Sequence, residues 1–231
     1  MSMHPKIVFD IETIGKDFDS FDDVSKEYLL AFAQDEEEKQ ETKDRLGFYP
    51  LTGEIVAIGI FNPQTEHGIV LSAGKSKKKL PQKLDDDITL ETGDERFIIE
   101  RFWELAKSYH HFISFNGRQF DVPFLMIRSA ILGIHPSKNL LTNKYLNYQP
   151  DNAKHIDLYD QLTFYGAMRK KFNLHMWTKA FGIESPKEQG VTGNDVQKLF
   201  KKGDIETIAR YNSRDLRSTA QLYNYWKEYL E

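Results

Sequence analysis

Residues 6–11, KIVFDI, are an apolar run rich in branched side chains, and two acids, Asp10 and Glu12, stand two positions apart at its end. The run predicts a buried strand. Side chains alternate along a strand, so both carboxylates point to the same face. A buried strand has no structural reason to place two acids on one face, because each unpaired buried charge is costly. One resolution is that the strand ends at Asp10 and the acids lie exposed at its carboxyl end, where open α/β sheets bind ligands. The other is that they hold cations. Carboxylate oxygens are the ligands that magnesium and manganese prefer.

The remaining segments predict what is built around this strand. Residues 23–45 read as a helix with a heavily charged second half. EIVAIGIFN and IVLSA read as an antiparallel hairpin turned by NPQTEHG. The stretch from Gly74 to Glu91 has no periodicity and reads as a loop. Thr92 and Glu95 have capping-box spacing and open the amphipathic helix ERFIIERFWELAKSY. HFISF is a fourth strand, ended by Asn116 and Gly117. A helix follows over Val122–Leu132, with Pro123 in its first turn. After a loop at 135–153, IDLYDQLTFYG, LHMWTKAFG and the stretch Asp195 to Leu230 read as helical. No repeat, linker or composition break divides the chain, so one α/β domain over residues 1–231 is expected.

Composition narrows the chemistry. With no cysteine among 231 residues, disulfides, zinc–thiolate sites and thiol nucleophiles are excluded. Neither a signal-peptide layout nor an apolar run of about 18 residues is present, so a cytoplasmic protein without a membrane span is expected. A net charge of −4 is not the footprint of a protein coated by nucleic acid. Three basic runs stand against it: Lys75 to Lys83, Arg169 to Lys171, and Lys201 with Lys202. They read either as solvated surface or as guides for a nucleic-acid backbone towards an acidic site. Net negative charge is compatible with a metal-dependent nuclease, because bound cations are not counted.

Further chemistry-bearing residues follow. Asp121 stands where it caps the Val122 helix or reaches a metal, directly or through water. Tyr211 and Asp215, four apart in a helix, share a face. His155 and Asp157 in HIDLYD either assist a site or close a helix start. Trp103, Trp177, Met126 and Ile127 read as core, Tyr145 and Tyr148 as a packed loop rather than base-stacking rings, and Asp35 to Glu38 as a solvated face.

At IVFDIET, SFNGRQFD and YNSRD the chain resembles the DEDD superfamily of 3′–5′ exonucleases, in its tyrosine-bearing branch. The histidine-bearing branch needs a histidine five residues before Asp215, and that position is Arg210. SFNGRQFDVPFL and HIDLYDQL further resemble stand-alone exonucleases related to the proofreading domain of family-B DNA polymerases. The match is least secure over residues 16–50 and 74–91.

The resemblance implies an α/β, ribonuclease H-like fold with a central mixed β-sheet flanked by helices. It implies two divalent cations, Mg2+ or Mn2+. Asp10, Glu12 and Asp215 would hold one, while Asp10 and Asp121 would serve the second. It assigns substrate contacts to Thr13, Asn116 and Phe120. The Tyr211 hydroxyl orients the attacking water; with an ordinary pKa of about 10 it is a weak base. The expected activity removes nucleoside 5′-monophosphates from the 3′ end of single-stranded DNA. RNA hydrolysis of the ribonuclease D kind and a non-catalytic nucleic-acid-binding module are the other two readings.

Overall fold

The computed structural model describes residues 4–76, 79–185, 190 and 192–231. Six strands make one sheet: β1 (Lys6–Gly15), β2 (Gly53–Asn62), β3 (His67–Ala73), β4 (Ile88–Gly93), β5 (His111–Ser114) and β6 (Lys154–Asp157). Their order is β4-β3-β2-β1-β5-β6. β2 runs antiparallel to both β1 and β3, whereas the β3–β4, β1–β5 and β5–β6 pairs are parallel. The sheet is therefore mixed, with β2 alone reversed.

Eight helices are described: α1 (Asp23–Leu30), α2 (Glu36–Asp44), α3 (Glu95–Ala106), α4 (Asp121–Ile131), α5 (Leu158–Leu162), α6 (Leu174–Ala180), α7 (Gly193–Lys202) and α8 (Ile205–Tyr229). The alternation along β1 divides them into layers. Ile7, Phe9 and Ile11 pack with Ile98, Phe102 and Trp103 of α3 and Phe124 and Leu125 of α4. Val8 and Ile14 face the opposite layer, where Ile208, Leu216 and Ala220 of α8 lie. Asp10 and Glu12 are the positions between Val8 and Ile14 on this second face. Among the described residues no helix is long and apolar enough to cross a membrane.

Two irregularities place the acids. The β1–β5 pairing stops at Val8–Ile113, so the second half of β1 extends past its parallel neighbour. On its other edge, Asp10 is opposite Gly59, Glu12 opposite Ala57 and Thr13 opposite Ile55, a bulge that leaves Val56 as the extra residue.

Several segments depart from the sequence reading, each for a local reason. β4 occupies the end of the expected Gly74–Glu91 loop; it is a short edge strand whose few alternations are hidden by the acidic residues before it. Thr92 lies inside β4, so the capping box does not form. Asp94 caps α3 instead, accepting from the Phe97 amide at 2.8 Å. Glu95 is held elsewhere, accepting from the Ile55 amide and pairing with the buried Arg128 guanidinium, both Oε1 contacts at 2.8 Å.

β6 takes the start of the expected IDLYDQLTFYG helix; four residues are too few to display a period. Gly203, at φ 73°, divides the expected 195–230 helix into α7 and α8 by adopting the left-handed conformation that side chains disfavour. Residues 23–45 likewise divide into α1 and α2, neither of which buries a residue. Ile127 is exposed, not core, and Tyr145 and Tyr148 are exposed rather than packed, Tyr148 at 76%. Trp103 is buried and Trp177 partly so, as expected. Lys77 and Lys78 of the first basic run lie outside the described residues.

Candidate active site

β1 and α8 bring together residues separated by two hundred positions. Carboxylate oxygens of Asp10, Glu12 and Asp215 all lie within 4.8 Å of one another. Glu12 and Asp215 are buried, and Asp10 is partly so. Asp121 approaches from the opposite side, as the first residue of α4. The cap position of that helix is Phe120, which offers no side-chain hydrogen bond. The Asp121 carboxylate instead accepts from the Ile11 amide at 3.0 Å, on the stretch of β1 that has outrun β5. The helix-cap reading is thus replaced by a strand-edge cap that keeps a carboxylate close enough to Asp10 to repel it.

The electrostatics are those of an acidic cluster whose mutual repulsion hydrogen bonds offset only in part. Burial, then repulsion from Asp121, Asp215 and Glu12, pushes Asp10 well above the usual carboxylate range. Burial, then Asp215 and Asp121, does the same to Glu12. Burial raises Asp121 to about 7 against the opposing Ile11 amide. Among the described residues Asp10, Glu12 and Asp121 make no ion pair. Several buried carboxylates repelling one another are stable as anions only if a cation joins them. The donor set, oxygen only and entirely anionic, fits a hard divalent ion.

A residue that no motif logic singles out organises the cluster. Asn212, fully buried next to Tyr211, donates from Nδ2 to the Asp10 carboxylate at 2.9 Å and to the Asp10 carbonyl at 3.3 Å. Its Oδ1 has no hydrogen-bond partner among the described residues and faces Gly59. A Cβ on Gly59 would meet Asn212 Oδ1 at 2.0 Å and Leu216 Cδ1 at 2.6 Å. Gly59, directly opposite Asp10 in the β1–β2 register, therefore sets how closely α8 approaches the sheet. Replacing Asn212 with alanine is expected to lower activity about 10- to 100-fold, the usual cost of losing a partner that orients a ligand. Steady-state rates at saturating metal check this. An effect below threefold would assign Asn212 to packing alone.

Tyr211, also buried, donates its hydroxyl to Asp215 one turn further along α8. Burial, then Asp215, Glu12 and Asp10, raises its pKa, so the phenol keeps its proton and acts as a donor, not a base. Thr13 is spent inside the protein, its hydroxyl donating to the Gly47 carbonyl at 2.7 Å. Asn116 adopts a left-handed φ of 64°, and its amide donates to Asp157 at 2.8 Å. Asn116, Phe120 and Tyr211 line one cleft beside the acids.

Asp157 closes the helix start, one of the two readings made of it. It caps α5 through the Tyr159 amide, and it also receives the Asn116 and Arg118 amides, shaping the loop before Asp121. Its pKa rises to about 6 through burial, against those three amides. His155 is core. Burial, then the Arg118 charge, lowers it to about 3, and Nδ1 donates to the Leu140 carbonyl at 3.2 Å. The run Asp35 to Glu38 is solvated, and Asp35 caps α2.

A mixed sheet with one reversed strand, bearing an acidic centre where β1 meets α4 and α8, is an α/β protein of ribonuclease H-like fold. Residues 61–229 match the family described as "Predicted 3'-5' exonuclease related to the exonuclease domain of PolB", and the chain belongs to that family. The matched stretch takes in Asp121, Tyr211 and Asp215 and begins beyond Asp10 and Glu12. The chain is 26% identical over 144 residues to DNA polymerase 1 of Sulfurisphaera ohwakuensis and 28% identical over 151 residues to DNA polymerase 1 of Saccharolobus solfataricus. Each alignment covers 59% of this chain and 16% of the polymerase. The structure of the family B DNA polymerase from Pyrobaculum calidifontis superposes with a TM-score of 0.63 at 17% identity, over 97% of this chain and 24% of the polymerase. At that identity the likeness speaks for the fold.

Proposed function

We propose that the protein is a metal-dependent 3′–5′ exonuclease that removes nucleoside 5′-monophosphates from single-stranded DNA. The observation that supports this most is the convergence of Asp10, Glu12 and Asp215 within 4.8 Å, with Asp121 beside them. Asp10, Glu12 and Asp215 would hold one divalent cation, and Asp10 with Asp121, directly or through water, a second. When bound, such ions activate water near neutral pH and stabilise charge developing at phosphorus. The chain's own groups do the rest. Asn212 orients Asp10, the Ile11 amide orients Asp121, and the protonated Tyr211 hydroxyl positions the attacking water beside Asp215. DNA is favoured over RNA because the relatives bear the names of DNA polymerases.

A 5′-labelled single strand, incubated with magnesium or manganese, is expected to yield a ladder shortening one nucleotide at a time from the 3′ end. Internal cleavage or loss of the 5′ label rules the reading out, and faster digestion of a matched RNA reassigns the substrate. Tyr211→Phe, which keeps the ring and removes the donor, is expected to lower kcat by about 10²-fold, at the lower end of what one positioned donor contributes. Parallel kcat and KM measurements check it.

Removal of the ion gives a linked expectation. Ion-free carboxyls with raised folded pKa values keep protons that the unfolded chain releases above pH of about 4. Stability of the ion-free protein therefore falls as pH rises from about 4 towards 7, the value reached by Asp121. Bound cations displace these protons, so stabilisation by magnesium grows over the same window. At an ion concentration 100 times its Kd the gain is about 2.7 kcal/mol, or roughly 5–10 °C in Tm. Thermal melts at pH 5 and pH 8 with and without magnesium check this; an equal shift at both pH values contradicts it.

A further inference from the structure

Glu12 opens into a narrow space that shares its walls with a larger cleft on either side. That space, of about 160 Å³, is lined by Glu12, Thr13, Phe48 and Phe120. Through Phe48, Phe120 and Gly193 it joins a cleft of about 660 Å³, walled by aromatic rings (Phe115, Phe120, Phe172) and amides (Asn116, Gln119, Asn173). Through Asp44, Phe48 and Gln197 it joins a larger one of about 1040 Å³ between α2 and α7. Phe48, half-exposed, lines all three spaces.

The larger cleft reverses the sign of the protein's net charge. Its cations are Lys16, Lys43, Arg45, Lys198, Lys201 and Lys202, against Asp17, Asp19, Glu41 and Asp44. Of these acids Glu41 pairs with Arg45 at 3.2 Å, while Asp17 accepts from the Asp19 amide and Asp44 from Gln40. Lys43 lies over the Phe18 ring. Lys16, Lys198, Lys201 and Lys202 make no ion pair among the described residues. This lysine wall is fixed relative to the acids. Gln197 accepts from the Gly15 amide at 2.7 Å and donates to the Gly15 carbonyl at 3.1 Å, which ties α7 to the strand bearing Asp10 and Glu12.

We propose that the α2–α7 cleft holds the upstream backbone of a single-stranded polynucleotide whose 3′-terminal nucleotide sits in the aromatic cleft. The inference rests on the exonuclease reading. The division follows from charge. An upstream strand brings a phosphate at every residue and needs repeated free cations, which this cleft supplies. A terminal nucleoside brings one base and one phosphate, which rings, amides and Lys171 on the other side accommodate. Phe48 between them is a stacking platform at the bend. The Lys201–Lys202 run is thereby assigned to substrate, and α2 forms the facing wall.

The test is the triple variant Lys198→Gln, Lys201→Gln, Lys202→Gln, on exposed helix positions. Its KM for a twelve-nucleotide single strand should rise about tenfold at low salt, with the loss falling on KM and not on kcat. The slope of log KM against log salt should drop by about 2, from about 0.7 per phosphate contact in a single strand. The KM advantage of the twelve-mer over a dinucleotide should narrow. The Lys→Arg triple variant should restore the slope. A triple glutamine variant that shortens strands with the wild-type salt slope overturns the cleft assignment and leaves the exonuclease reading standing. A wild-type protein that shortens no strand overturns that reading and this one with it.

Discussion

Asp10→Ala is expected to abolish strand shortening, with a loss on the order of 10³-fold or more, because it removes the one carboxylate that both ion positions would share. The size follows from comparison. Losing a group that merely orients a ligand costs about 10- to 100-fold, and under the proposed function Asp10 would be the ligand itself, with Asn212 holding it at 2.9 Å. A loss of activity alone would not separate chemistry from unfolding, but the electrostatics do. Asp10 repels Asp121, Asp215 and Glu12 from a partly buried position. Its removal should raise or leave unchanged the Tm of the ion-free protein while eliminating the magnesium-dependent increase. An inactive variant with a lower ion-free Tm would show that Asp10 is needed for folding instead.

Gly59→Ala is expected to be the most damaging substitution outside the acids. The added methyl falls 2.0 Å from Asn212 Oδ1 and 2.6 Å from Leu216 Cδ1, so these side chains must be displaced or α8 must move away from β2. Overpacking of this kind costs about 1–3 kcal/mol. The functional loss should reach that of Tyr211→Phe, because the same helix bears Tyr211, Asn212 and Asp215. A shift of even 1 Å in a catalytic constellation costs about 10²-fold. Pairing it with Asn212→Gly removes the closest clash and leaves only the mobile end of Leu216, so stability should return in part while activity stays low. Stability that falls additively in the double variant would contradict the steric account.

The acidic centre was legible where chemistry conflicts with burial. Asp10 and Glu12 stand out because a strand that buries Val8 and Ile14 on one face has no packing use for two anions there. Tyr211 and Asp215 follow from helical spacing, and α8 does place them on one face. Asp121 was visible as an acid at the start of a helix, but its partner was not. The Ile11 amide becomes available only because β5 stops short, a fact of strand register.

Asn212 and Gly59 left no local signal. An asparagine in a helix and a glycine in a strand are both unremarked until two distant segments press together. The same holds for the missed elements. β4 and β6 are short and acquire their definition from the neighbours they pair with, β3 and β5. The capping box at Thr92 and Glu95 gave way because β4 takes in Thr92, while Arg128 holds the Glu95 carboxylate.

Anomalous scattering from a manganese-soaked crystal tests the central claim most directly. The expected result is a peak coordinated jointly by Asp10, Glu12 and Asp215, weakened or lost in Asp215→Asn. At saturating manganese, the absence of a peak among these three carboxylates would contradict the account.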